Sequence, residues 1–190
     1  MRFVTKGGLI LAIVLILPAI GWSQVDNLGN IDTIYADLAK INDLNWTITV
    51  NYTNDEEIEG LSVPLKMTAG LNRILADSAI YTGGRVEHFT YRGFRADTAI
   101  QCITLGMVAN LGPTNNYLAR GSGRLVTIFV SSVENKPIEK LVVDTTTTEP
   151  NNSLLIIPNR LQYGEKVDTI PQSRRKDMEI IPAFVVRYSE

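Results

Sequence analysis

Nucleophilic or metal-assisted catalysis needs reactive side chains that can converge, and this chain has one histidine, His88, and one cysteine, Cys102. A nucleophile needs a base beside it. Glu87 adjoins His88, and neighbours on a strand point to opposite faces. There is no Gly-x-Ser-x-Gly elbow, and Gly121-Ser122-Gly123 is too short to make one. A single His and a single Cys do not supply the three or four converging ligands of a zinc site. Gly83-Gly84 and Gly121-x-Gly123 lack the following Lys and helix of a phosphate loop. Calcium, which takes oxygen ligands, is a fairer question. Asn54, Asp55, Glu56 and Glu57 offer such oxygens without the spaced acidic run of an EF-hand, so they read either as a calcium loop or as a solvated turn.

Sugar chemistry leaves two signatures. Hydrolysis needs a carboxylate on each side of the glycosidic bond, and with 20 acidic residues some such pair is always available, so availability decides nothing. Binding without hydrolysis uses exposed aromatic rings. Trp46, Tyr52 and Phe129 fall on strand positions that read as core, whereas Tyr91, Phe94, Tyr117 and Tyr163 lie nearer loops and are the candidates for a stacking surface. The composition of the site residues therefore points to binding, not to an enzyme.

The elements that must position these residues are strands. From Trp46 to Tyr52 large residues alternate with Thr47, Thr49 and Asn51, and Leu61, Val63, Leu65 and Met67 alternate with Ser62, Pro64 and Lys66. Period-two patterning buries one face and exposes the other. Pro64 cannot donate a ladder hydrogen bond, which predicts an edge strand or a bulge. Further strands are expected at 31–38, 71–81, 98–109, 124–132, 138–144, 154–157, 162–167 and 178–188. In the stretch from Arg85 to Phe94, a short strand followed by a loop is expected. Strand 124–132, apolar on both faces around Ile128 and Phe129, should be interior. Turn signals at this spacing predict an all-β, antiparallel jelly-roll or immunoglobulin-like β-sandwich of about nine strands.

Arg2 and Lys6 precede an apolar run from Leu9 to Leu17, with Gly21 and Ser23 placed for cleavage. This is the pattern of a secretory signal-peptide helix over 1–23, leaving one domain over 24–190 that is secreted to an extracellular or periplasmic space. Taking Arg2 and Lys6 from the 18 basic residues leaves 16 against 20 acidic ones, a charge of −4. Mild acidity argues against nucleic acid or an anionic membrane as partner. Cys102, in an apolar strand, reads as a buried small hydrophobe.

Several strings together resemble cohesin-like domains. NYTNDEEIEGLSVPLKM (Asn51–Met67) is similar to their early strands, Ala79 to Val86 to the segment after the fourth, and Gly121-Ser122-Gly123-Arg124-Leu125-Val126 to their Gly-x-Gly turn into a long apolar strand. The resemblance implies a nine-stranded sandwich shared with several carbohydrate-binding modules, and a sheet face that holds a dockerin. The bacterial family motif carries no dockerin-binding residue onto a numbered position here.

The expectation is a non-catalytic binding module in an extracellular or envelope assembly, without a cofactor beyond the calcium already considered. Its partner would be a dockerin-like or envelope protein, docking on Thr47, Thr49 and Asn51 or on Ser62 and Lys66. The alternative is a carbohydrate-binding module that presents Tyr91, Phe94 and Tyr117 to a polysaccharide.

Overall fold

The computed structural model describes residues 26–110, 116–146, 154–159 and 180–189. Among these lie ten strands: β1 (Thr33–Lys40), β2 (Asn45–Asn54), β3 (Ile58–Thr68), β4 (Ile74–Ile80), β5 (Tyr91–Asp97), β6 (Cys102–Val108), β7 (Gly121–Ser132), β8 (Val142–Thr145), β9 (Leu155–Pro158) and β10 (Ala183–Tyr188). They form two sheets. One runs β10-β1-β2-β7-β4; the other runs β5-β6-β3-β8, with β9 also paired to β3.

The two inner faces follow directly from the alternation. Ile34, Ala36 and Leu38 of β1, Ile48, Val50 and Tyr52 of β2, and Val126, Ile128 and Val130 of β7 share one register and are buried. Opposite them, Leu61, Val63 and Leu65 of β3 pair in register with Met107, Leu105 and Ile103 of β6, all buried in the same core. Burying each such side chain contributes about 1.5–3 kcal/mol, so the sandwich is held by packing. Cys102 is buried and free, as expected of a small hydrophobe. At one end of the core, the Trp46 indole donates to the Ile138 carbonyl at 3.2 Å, which ties the chain after β7 to the sandwich.

Several expectations are corrected. Pro64 lies on an interior strand, not an edge: β3 has β6 on one side and β8 and β9 on the other. The proline is tolerated because β8 ends opposite Leu65 and β9 begins opposite Ser62, so neither pairs at 63–64. The stretch from Arg85 to Phe94 is ordered the other way round, a turn over 82–90 and then β5. Val86 and Phe89, three apart, are buried by that turn. Strand β6 starts only at Cys102 because Gln101 takes a left-handed φ of 53° that ends the preceding turn. Strand β8 is shorter than 138–144 suggested. The closing strand β10 pairs with β1 in parallel, Ile34 opposite Phe184 and Asp37 opposite Arg187, which breaks the all-antiparallel pattern.

Strand β7 is interior as expected, between β2 and β4, but Phe129 is not core. A bulge between Val50 and Asn51 skips Leu125, so Leu125 and Val126 are both buried in succession. Phe129, opposite Thr47, faces outward and is half-buried. The expected strand 162–167 and the signal segment 1–23 lie outside the described residues.

Candidate functional site

The residues singled out for binding divide between the two outer faces of the sandwich. Thr47, Thr49 and Asn51 project from the outer face of β10-β1-β2-β7-β4, in line with Phe129, Thr127 and Arg124. Ser62 and Lys66 project from the outer face of β5-β6-β3-β8, as does Tyr91. A single partner docking on one sheet meets one group or the other.

The first of these faces bonds many of its polar groups to one another. Arg187 gives two hydrogen bonds to Asp37, from Nε at 2.5 Å and from Nη2 at 2.7 Å, and its guanidinium stands 4.2 Å over the Tyr35 ring. Asn51 Nδ2 donates to the same Asp37 at 2.7 Å. Ser131 donates to Asp77 at 3.0 Å, and Arg124 donates to Thr127 at 3.3 Å and to the Thr82 carbonyl at 2.7 Å. A partner would have to break these bonds to use those groups, and of the described central polar residues only Thr49 has a side chain with no bond of its own.

The second face is different. Tyr91 is 50 % exposed. Its ring lies over Gly93 on its own strand and over Gly106 on β6, where an added β-carbon would stand 3.6 Å from Cε1. Gly93 is itself held from below: the Tyr81 hydroxyl donates to its carbonyl at 2.9 Å, and burial pushes that phenol up to about 12. Gly106 stands opposite both Gly93 and Ser62, and Thr104 opposite Arg95 and Pro64. The result is a glycine-floored strip with one large ring on it. Among the described residues Ser62, Thr104 and Arg95 spend their side chains on no hydrogen bond. Lys66, by contrast, donates to the Ile100 carbonyl.

Among the described residues Tyr91 is the one exposed ring of the expected aromatic row. Phe94 shares the inward register with Leu105, and both it and Tyr117 pack against the core. Tyr163 lies outside the described residues. His88 is exposed, with Nε2 3.3 Å from the Tyr117 carbonyl.

A second constellation gathers where the segment before β1 meets the β2–β3 turn. Carboxylate oxygens of Asp26, Asp32, Asp55 and Glu56 all lie within 4.8 Å of one another. Of the four oxygen-bearing residues expected from sequence, only Asp55 and Glu56 belong to it. The Asn54 amide instead donates to the Glu56 and Ala119 carbonyls at 2.5 and 3.2 Å. Glu57 accepts from Asn159 at 2.8 Å. Asp32 is held on one side by the Tyr52 hydroxyl, which donates to Oδ2. Asp55 Oδ2 accepts from Asn30 N at 2.9 Å and from Asn30 Nδ2 at 2.8 Å, and these bonds hold its carboxyl below the usual range. Burial pushes Asp32 up to about 7 and Glu56 to about 8; neighbouring carboxylates add to both. Burial likewise raises the Tyr52 phenol, with Asp32 beside it.

Asp26 and Asp32 escape a sequence reading that looks for clustered ligands, since 23 positions separate Asp32 from Asp55. The available signal is register. Asp32 has the parity of Ile34, Ala36 and Leu38, and Glu56 that of Tyr52, Asn54 and Ile58, so both carboxylates occupy inward positions at strand ends.

No protein-family model and no curated protein sequence matches the chain. Solved structures do. The chain is similar to a type I cohesin–dockerin complex of the OlpA cohesin from Clostridium thermocellum, with a TM-score of 0.55 at 13% identity over 84% of this chain and 100% of the other. It is similar to the OlpC cohesin–dockerin complex from the same organism, with a TM-score of 0.54 at 6% identity over 87% and 99%. It is also similar to the sixth cohesin of Acetivibrio cellulolyticus scaffoldin B in complex with a Cel5 dockerin, with a TM-score of 0.53 at 6% identity over 84% and 100%. The fold is thus the cohesin β-sandwich, spanning each of these modules almost end to end.

Proposed function

We propose that the chain is a non-catalytic, exported binding module that docks a dockerin-like protein on the outer face of β5-β6-β3-β8. The observation that carries this is Tyr91, half-exposed on a strip floored by Gly93 and Gly106, beside Ser62, Thr104 and Arg95, whose polar groups are free to bond a partner. Interfaces concentrate their energy in such central aromatic and arginine anchors. The opposite face, with Arg187, Asp37 and Asn51 already bonded together, offers no comparable set. Support also comes from the fold, since the solved structures that share it include cohesins bound to dockerins.

The test is calorimetric titration of the chain with a panel of purified dockerin modules. Binding by at least one of them, abolished by Tyr91→Ala and unaffected by Thr49→Arg on the other face, is the expected result. Binding that is lost with Thr49→Arg and kept with Tyr91→Ala would place the partner on the wrong sheet. Silence across the panel would sink the reading.

A further inference from the structure

We propose that Asp26, Asp32, Asp55 and Glu56 form a calcium site that ties the segment preceding β1 to the β2–β3 turn. This does not rest on the docking face, and it concerns a different part of the molecule's chemistry. The first observation is geometric. Calcium holds oxygen ligands at about 2.3–2.6 Å, so ligands facing each other across the ion stand roughly 5 Å apart, and the four carboxylates offer oxygens within 4.8 Å of one another.

The second observation is independent of the clustering. Glu56 is 2% exposed and Asp32 1% exposed, yet both oxygens of Glu56, Oδ1 of Asp32 and Oδ1 of Asp55 are buried without any hydrogen-bond donor. The oxygens turned the other way are occupied. Asp32 Oδ2 takes the Tyr52 hydroxyl, Asp55 Oδ2 takes Asn30, and Asp26 takes the backbone N–H of Leu28 at 3.0 Å and of Asp32 at 3.2 Å. Asp32 and Asp55 are thus each held by a bond to one oxygen and leave the other unsatisfied, Glu56 leaves both unsatisfied, and Asp26 is fixed through both of its oxygens by backbone N–H groups. Among the described residues no Lys or Arg forms an ion pair with any of them. Buried carboxylate oxygens without donors are costly, and a divalent cation satisfies four at once.

The donor set selects the ion. Oxygen ligands alone disfavour zinc, which prefers nitrogen and sulfur. Four protein carboxylates, one of them a glutamate with both oxygens free, suit the high and irregular coordination of calcium. Magnesium demands near-octahedral geometry and keeps its waters.

The experiment is a calcium chloride titration of the full chain after chelator treatment, read by calorimetry and by the thermal unfolding midpoint. One ion per chain, a raised midpoint, and weaker binding of magnesium are expected. Glu56→Gln and Asp55→Asn should each weaken calcium by at least about tenfold, since affinity follows the count of charged ligands. Melting in chelator shows whether each variant folds. Glu56→Gln relieves carboxylate crowding, and Asp55→Asn alters a more exposed side chain. The proposal is overturned by no heat and an unmoved midpoint at millimolar calcium, or by wild-type calcium affinity in the folded variants. Dockerin titrations of the same variants report on the docking face separately.

Discussion

The ring of Tyr91 on β5 lies against Gly106 on β6, with Cε1 3.6 Å from where a β-carbon on that glycine would stand. The contact is loose enough for one methyl and no more. Gly106→Ala should therefore leave both fold and partner binding near wild type. Gly106→Leu should lift the ring and weaken binding about as much as Tyr91→Ala. For a central aromatic anchor that loss is about 2 kcal/mol or more, roughly 30-fold in affinity. Calorimetry of the three variants checks it, and equal binding by all three would remove Tyr91 from the interface.

The bulge in β7 makes a second expectation sharp. Because Leu125 is skipped in the pairing with β2 and turned into the core, Leu125→Ala should cost about 2–5 kcal/mol. Phe129→Ala removes a larger side chain but from the outer face, so it should cost clearly less. Urea denaturation of the two variants decides; a larger loss at Phe129 would mean that the register of β7 is other than described.

How much of this was legible in the sequence depends on what alternation can encode. Period two states which side chains of a strand share a face, and Trp46–Tyr52 and Leu61–Met67 lie as their patterns demand. It does not state which strand comes next, so the parallel pairing of Ala183–Tyr188 with β1 had no local signal. Pro64 misled for the same reason: a missing donor is compatible with an interior strand when two short partners leave a gap beside it. Phe129 reads as core because its neighbours are apolar, and only the bulge at Leu125 reverses the parity. The Gly121-Ser122-Gly123 string finds its cause in tertiary contact. Gly121 and Gly123 adopt φ of 137° and 152°, and the Arg85 side chain lies 3.1 Å from where a β-carbon on Gly123 would be. Its guanidinium donates to the Tyr52, Gly121 and Ala119 carbonyls. The acidic cluster is half visible, through Asp55 and Glu56, because its other half arrives from the segment preceding β1.

Gly29 tests the architecture of that cluster without replacing a ligand. A β-carbon there would stand 2.5 Å from Asp55 Oδ2. Gly29→Ala should rotate the Asp55 carboxylate away from Asn30, weakening calcium while leaving stability in chelator within about 1 kcal/mol, as expected for a change outside the core. A calcium titration paired with denaturation in chelator measures both. Unchanged affinity would show that the loop from Asp26 to Asp32 does not set the position of Asp55.

The metal-free protein carries its own pH signature. Burial raises Asp32 to about 7 and Glu56 to about 8, while in the unfolded chain both titrate near 4. Between those limits the folded state binds protons that the unfolded state has released. Stability in chelator must then fall as pH rises, from its full value below about 4 to a plateau above about 8. Calcium needs the deprotonated carboxylates, so its stabilising effect should grow over the same interval. Denaturation midpoints at pH 5 and pH 8.5, each with chelator and with calcium, provide the four values required. The chelated protein should be the weaker at pH 8.5, and the gap opened by calcium should be wider there than at pH 5. A chelated protein that gains stability across that interval would mean that Asp32 and Glu56 are already ionised and satisfied by some other group.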